Sequence, residues 1–446
     1  MSNIEISKNK YNKIHFVGIG GIGMSALARY YNSIGVIVSG SSDSESELIQ
    51  ELQKENIKVC IGHVSGNVPN DIDLLVYTVA IPSDNPELLL GIELSNDGKC
   101  RVLTYAQALG EMTKDKKTIA ICGTHGKTTT TAMTFDALSS AELNVSMIVG
   151  SLINHNGKMT NYVTSGDMNN LDYIIIEACE YRKSFLNYNP EIILLTNIDA
   201  DHLDYYKDID EIGQAFQEFV GKLSPSGILI THAEEYDKLS VGENIKKINS
   251  DIFDRDSISL SVPGEHNRKN AQLVVALGSA LALSSDKISK GLQNFAGTWR
   301  RQEYKGKYFD MECYDDYAHH PSEVRATLQA FREKLDREEN KNKTEHKKIV
   351  ACFMPHLYSR TKLLFADFVN CFVDADEVII LPIYAARESY DPSISSEMLV
   401  RELQNINKKA LYLADLKSLK DYLNIHSNKN NVIITMGAGD IYKVYT

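Results

Sequence analysis

The sequence predicts an α/β protein of three domains, each built on a largely parallel sheet. Apolar strand, polar loop and amphipathic helix recur in that order along the chain. The 446 residues are 43% hydrophobic, too long for one ordinary domain and apolar enough for three separate cores. The unusual polar residues fall just after the strands, at the carboxyl ends where open parallel sheets take ligands.

The first domain opens with a strand at Ile14–Val17, a glycine turn and a helix near Met24–Ile34. Strands follow at Gly35–Val38 and Leu74–Thr78, then a helix near Ala106–Met112, and the charged stretch TKDKK reads as a linker. The second domain begins with the strand Thr118–Cys122, a glycine loop and a helix from Thr128. Its further strands are Tyr173–Ile176, Ile192–Leu195 and Gly227–Thr231, with an apolar helix from Asn270 to Ser284. The stretch Ala296–Lys307 reads as the second linker, with Trp299 as a packing anchor. The third domain has a helix at Ser322–Arg332 and strands at Ile349–Phe353, Val378–Pro382 and Asn431–Thr435. The charge run DREENKNKTEHKK reads as a solvated helix end and loop.

A formal net charge of -12 argues against a nucleic-acid scaffold and against a polybasic membrane binder. The seven cysteines are scattered with no CxxC pair, which argues against a zinc or disulfide framework. The polar start MSNIEISKNKYNK and the lack of a long apolar run point to a cytoplasmic protein without membrane insertion. Cys122 and Cys179 read as small buried fillers, and the adjacent pair His319-His320 is poorly arranged to ligate one ion.

Two glycine loops carry the chemistry. Gly18-Ile-Gly20-Gly21-Ile22-Gly23 is GxGxxG between a strand and a helix, a turn that lets backbone approach a pyrophosphate at the helix N-terminus. Ser41 and Asp43 follow the next strand, where an acidic side chain meets a ribose or base. By itself the fingerprint is weak: it suits a nicotinamide dehydrogenase first and a plain tight turn second. The second loop, Gly123-Thr124-His125-Gly126-Lys127-Thr128-Thr129, is a different phosphate machine and weighs against the dehydrogenase. Its amides suit phosphate oxygens, Lys127 supplies a mobile positive charge, and Thr128 offers a hydroxyl to Mg²⁺. It is shorter than a full Walker A motif, which would need glycine at Ile121. Glu177 and Glu180 follow one strand, and Asp199, Asp201 and His202 the next, so carboxylate and imidazole converge beside the loop. Asp199 and Asp201 also suit plain helix capping.

Taken in order, HFVGIGGIGMSALA, GTHGKTTTT, EACE, TNIDADHLDYY, GEHNRKNA, DDYAHHPSEV, PHLYSRTK, PIYAARE and MGAGDI resemble the Mur ligase family over nearly the whole chain. The resemblance implies a Rossmann-like UDP-binding domain over 1–112, a central P-loop ATPase-like domain over 113–297, and a C-terminal Rossmann-like domain over 298–446 that binds the amino acid and closes over ATP. It implies ATP-dependent joining of L-alanine to the lactyl carboxylate of UDP-N-acetylmuramate, with Mg²⁺ as cofactor, in a monomer or dimer making peptidoglycan precursors. Under it the first loop, Ser41, Asp43, His63, Asn67, Ala80 and Ile81 surround the UDP-sugar. The second loop, His266, Asn267, Asn270, Arg301, Asp316 and His319 serve ATP, with Lys127 on the γ-phosphate. Thr128 and Glu177 hold one metal ion, with His202 near a second. His356 and Arg360 serve the amino-acid and transition-state end, with Tyr317 beside them. The chain departs from the family pattern at Leu357, where a basic residue is usual, and at Gln302, where an aromatic is usual. A ligase that places a ready-made peptide on the same sugar, or a nucleotide-binding regulator without catalysis, remain the alternative readings.

Overall fold

The computed structural model describes residues 10–155, 158–201, 205–308, 310–342, 346–386 and 388–445. His202, expected near a metal, lies outside the described residues.

Among the described residues the strands form three sheets. The first contains β1 (Lys13–Val17), β2 (Ile37–Ser42), β3 (Lys58–Ile61), β4 (Leu74–Tyr77) and β5 (Arg101–Thr104). All are parallel, in the order β3-β2-β1-β4-β5. The order reverses at β1, so the turn after β1 lies at a switch point, where a ligand crevice forms outside the strand ends. The second sheet contains β6 (Thr118–Cys122), β7 (Val145–His155), β8 (Lys158–Ser165), β9 (Tyr173–Glu177), β10 (Ile192–Leu195), β11 (Ile228–Thr231) and β12 (Lys246–Asn249). Its order is β12-β11-β10-β6-β9-β7-β8, with only β8 antiparallel. The third contains β13 (Glu303–Tyr308), β14 (Met311–Asp316), β15 (Lys348–Phe353), β16 (Glu377–Ile380), β17 (Ala410–Tyr412) and β18 (Asn431–Met436). Its order is β13-β14-β18-β15-β16-β17, with β13 antiparallel at the edge.

The central strands are buried on both faces and read as continuous apolar runs. Ile119, Ala120, Ile121 and Cys122 of β6 are fully buried, as are Ile192 to Leu195 of β10. Each isoleucine or leucine among them contributes about 1.5–3 kcal/mol by leaving water. Packing gathers the chain into two compact units, Met1–Ser257 with Asn270–Asn294, and Ile258–Lys269 with Phe295–Thr446. Within the first unit, the helix Ile22–Ser33 touches the β7–β8 pair through Arg29, which donates to Asn161 at 2.5 Å and to Glu55 at 2.8 Å.

Several expectations need correction. The supposed linker Ala296–Lys307 carries the start of β13. That strand was hidden because it is a polar, largely exposed edge whose register breaks between Tyr304 and Gly306. The strand placed at Gly35–Val38 runs instead over Ile37–Ser42, because Gly35 turns the chain at φ +85°. The helix from Asn270 begins at Glu265, since its polar first turn lacks apolar periodicity, and it ends at Ala280. The helix at Ser322–Arg332 extends over Pro321–Asn342 and takes in half of the charge run. Trp299 does pack, edge-on to Tyr442 with ring centroids 5.7 Å apart.

Candidate active site

In the first unit, β1 is followed by Gly18 at φ +83°, and the amides of Gly18 and Ile19 both donate to the carbonyl of Ser41 on β2. This folds the loop back onto the sheet, with Gly21 at the start of the helix that begins with Ile22. A Cβ on Gly18 would lie 2.7 Å from Thr78, one on Gly20 2.6 Å from Ser42, and one on Gly23 2.8 Å from the Tyr105 ring. The glycines therefore answer to packing as well as to any ligand. Ala80 and Ile81 lie in the turn after β4, and the Ile81 side chain rests against Gly18. Ser41, near the end of β2, is brought together with Asp43, His63 and Asn67, which lie beyond the ends of β2 and β3. His63 Nδ1 lies 2.9 Å from Ser41 Oγ, and its Nε2 lies 3.0 Å from Asp43. Glu87 joins them, a fully buried carboxylate that sequence reasoning missed. Its one visible signal is Asn85-Pro86-Glu87, a capped helix start whose Asn85 accepts from the Glu87 amide.

The phosphate loop connects β6 to the helix Lys127–Ser140, with Gly123 at φ +129° and Gly126 at φ +84°. Both positions exclude a side chain on backbone and space together. A Cβ on Gly123 would lie 2.0 Å from Thr196 Oγ1, and one on Gly126 would lie 2.7 Å from Asn270 Oδ1. Asn270 thus backs the loop. The chain after β10 clamps it: the amides of Thr124 and His125 donate to Asn197, Thr196 donates to the His125 carbonyl at 2.6 Å, and Asp199 pairs with His125 at 3.4 Å.

Lys127 opens the helix. Its Nζ donates to the carbonyls of Gly123 and Thr124 and pairs with Glu180 at 2.9 Å. Burial works to lower its pKa, but the surrounding groups, Glu180 foremost and Glu177 with it, together outweigh burial and hold the ammonium above the usual lysine range. The next residue, Thr128, donates to both oxygens of Glu177, at 3.1 and 3.0 Å, and the Gly150 amide reaches the same carboxylate at 2.9 Å. Gly150 is a second residue that sequence reasoning missed: a Cβ there would press on the carboxylate at 3.2 Å. A hydroxyl and a carboxylate side by side at a phosphate loop form the all-oxygen set that a hard divalent cation takes, so these residues fit Mg²⁺. Thr129 lies in the same first helical turn and is buried. Arg182 and Lys183, just after Glu180, hold positive φ of 52° and 54°, a strained arrangement beside the loop. Burial pushes the Cys179 thiol up to about 12, which fits a filler and not a nucleophile.

In the second unit, Asp316 ends β14 as a buried carboxylate. It accepts from the amides of Gln302 and Ala318 and from Thr327 Oγ1. Burial pushes its pKa up to about 6, against the pull of Arg301. Arg301 pairs with Glu323 at 3.4 Å and sits over the Tyr317 ring. His266 contacts Gln302 at 3.3 Å, and burial, with Arg301, lowers its pKa to about 4. Asn267 donates to the Pro263 carbonyl. His319 packs edge-on to Tyr317 and to His356, and His356 stacks on Tyr384. Arg360 lies on the helix Tyr358–Leu363 that follows. Leu357 is buried and turns the chain into that helix at φ +68°, a packed, strained corner.

Parallel sheets with a glycine loop at a switch point, and a second loop carrying lysine, threonine and a paired carboxylate, define a nucleotide-phosphate enzyme of the α/β class. Comparison with known proteins narrows the class. The family models described as "Mur ligase family, catalytic domain", "Mur ligase middle domain" and "Mur ligase, glutamate ligase domain" match residues 13–117, 121–254 and 300–439. The UDP-N-acetylmuramate–L-alanine ligase of Clostridium perfringens is 37% identical, over 99% of this chain and 98% of that protein. The protein of the same name from Lachnospira eligens is 39% identical over the same shares. Among solved structures, the UDP-N-acetylmuramate-alanine ligase of Thermotoga maritima superposes with a TM-score of 0.76 at 27% identity, covering 97% of each chain. A murein peptide ligase from Psychrobacter arcticus shares the fold, with a TM-score of 0.64 at 21% identity over 97% of each chain. The chain belongs to the Mur ligase family.

Proposed function

We propose that this chain joins the amine of L-alanine to the lactyl carboxylate of UDP-N-acetylmuramate, converting ATP to ADP and phosphate, in the cytoplasm. The observation that carries the reading is the Lys127-Thr128 step at the start of one helix, with Glu180 on the lysine and Glu177 on the threonine. The named function of relatives 37–39% identical over nearly the full length supports the choice of sugar and amino acid. Among the described residues no helix is long and apolar enough to cross a membrane.

The lactyl carboxylate attacks the γ-phosphorus, the bond to ADP breaks, and an acyl phosphate forms. Two anions must approach each other, and the Lys127 ammonium offsets that repulsion. Thr128 and Glu177 would hold Mg²⁺, which when bound neutralises phosphate charge. The uncharged amine of alanine then attacks the acyl carbon, phosphate departs, and the amine proton passes to solvent. We assign the UDP-sugar to the first domain, 1–112, with Gly18, Gly20, Gly21, Ile22, Gly23, Ser41, Asp43, His63, Asn67, Ala80 and Ile81. The phosphates go to the central domain, 113–297, and the amino acid to 298–446, with Tyr317, His356 and Arg360.

The test is ADP release from ATP with UDP-N-acetylmuramate and a panel of amine acceptors. Release is expected with L-alanine and not with a ready-made tripeptide. Release with the tripeptide alone would overturn the acceptor, and release with none would overturn the function.

A further inference from the structure

Glu87 is buried to 0% exposure, yet both its carboxylate oxygens are saturated by donors. Oε2 receives Ser41 Oγ at 2.5 Å and His15 Nε2 at 3.2 Å. Oε1 receives Asn67 Nδ2 at 2.6 Å and the Val64 amide at 3.1 Å. Burial works to raise its pKa, but the hydrogen bonds from His15, Ser41 and Asn67 hold it below the usual range, so the group is a carboxylate that only accepts.

Orientation follows from this acceptor in two steps. The Asn67 amide nitrogen faces two acceptors, Glu87 Oε1 and the Gly62 carbonyl at 3.0 Å, so both its protons are used and Oδ1 is left as an acceptor of fixed direction. Ser41 gives its single proton to Glu87, so towards His63 Nδ1, 2.9 Å away, it can only accept. His63 therefore carries a proton on Nδ1. Its Nε2 is buried and lies 3.0 Å from the Asp43 carboxylate.

We propose that Glu87 is a positioning residue for the UDP-sugar: it orients the Asn67 amide, so that Asn67 Oδ1 is held as an acceptor for the uridine diphosphate part, and through Ser41 it sets the proton on His63 Nδ1. The inference rests on the assignment of the UDP-sugar to this domain. Asn67 Oδ1 is an acceptor, and a uracil N–H or a ribose O–H is the donor it reads.

The test is Glu87→Gln in the full chain. An amide at this place keeps one acceptor oxygen and directs N–H groups at the other pair of donors, either Asn67 and the Val64 amide or Ser41 and His15, so one of the two orienting contacts is lost. The KM for UDP-N-acetylmuramate and the calorimetric Kd for uridine diphosphate are expected to rise about 10-fold or more, the effect of a lost charge-assisted hydrogen bond. The KM for ATP and kcat at saturating UDP-sugar are expected to stay within about 2-fold, a split that general loosening of the fold would not produce. Glu87→Asp, which keeps the acceptor, should recover part of the affinity. Unchanged Kd and KM in Glu87→Gln would overturn the proposal. Histidine-labelled nitrogen NMR of the wild-type chain reads the His63 proton directly and decides the matter if the variant does not fold: a bare Nδ1 overturns it. Wild-type protein that binds no uridine diphosphate at all would instead overturn the substrate assignment itself.

Discussion

Lys127 and Glu180 form a buried ion pair, 2.9 Å from Nζ to Oε2, with side chains 12% and 2% exposed. The pair is the counterweight that keeps a lysine charged inside the fold at the mouth of a phosphate loop. Removing one partner strands the other's charge, at a cost of about 3–5 kcal/mol. Lys127→Ala should therefore lower stability by about that much in urea denaturation. The double variant Lys127→Ala/Glu180→Ala should regain most of it, because no unpaired charge remains. Both should lack ligase activity while binding uridine diphosphate normally. A double variant as unstable as the single one would show that the pair does not set the stability.

Gly123 and Gly35 both hold positive φ, 129° and 85°, but only Gly123 has neighbours where a Cβ would go. Gly35→Ala should cost about 1–2 kcal/mol from backbone strain alone. Gly123→Ala adds an overlap with Thr196 and Asn197 and must displace the loop. Its thermal midpoint should fall further, and ADP release should be lost, whereas Gly35→Ala should retain it.

The Thr128 hydroxyl lies 3.0 Å from Glu177. If the two hold the divalent ion, Thr128→Ser keeps the ligand and Thr128→Val removes it at nearly constant volume. The Mg²⁺ concentration for half-maximal ADP release should rise about 10-fold or more in Thr128→Val and in Glu177→Gln, and little in Thr128→Ser. Equal Mg²⁺ dependence in all three would argue against the site.

Asp316 and His266 pull stability in opposite directions with pH. The folded pKa of Asp316, about 6, lies above its ordinary 3.8, so the folded state binds more protons and stability falls as pH rises from about 4 to 6. The folded pKa of His266, about 4, lies below its ordinary 6.5, so stability falls as pH drops from 6.5 to 4. Each shift corresponds to about 3 kcal/mol, so the two nearly cancel in the wild type. His266→Gln should leave a chain whose unfolding free energy declines between pH 4 and 6. Asp316→Asn should leave one whose unfolding free energy climbs over the same window. A flat profile in both variants would refute the opposition.

The strands Ile14–Val17, Leu74–Thr78, Thr118–Cys122, Ile192–Leu195 and Ile349–Phe353 were legible because buried parallel strands are short apolar runs, a local signal. The exposed edge β13 had no such run and was mistaken for a linker. Both β13 and β14 depend on pairing partners, β14 lying beside β18 more than a hundred residues away.

The same division holds at the site. Residue order alone determined the two glycine loops, because a strand, a tight turn and a helix N-terminus occupy consecutive positions, and it determined that Lys127 and Thr128 share the second loop's helix start. Only the tertiary structure decided that Glu180 neutralises Lys127, that Asn270 fills the space beside Gly126, and that Glu87 gathers Ser41, His63 and Asn67. A carboxylate's partners are set by which distant backbone segments pack together, and its own neighbours in the chain carry no trace of them.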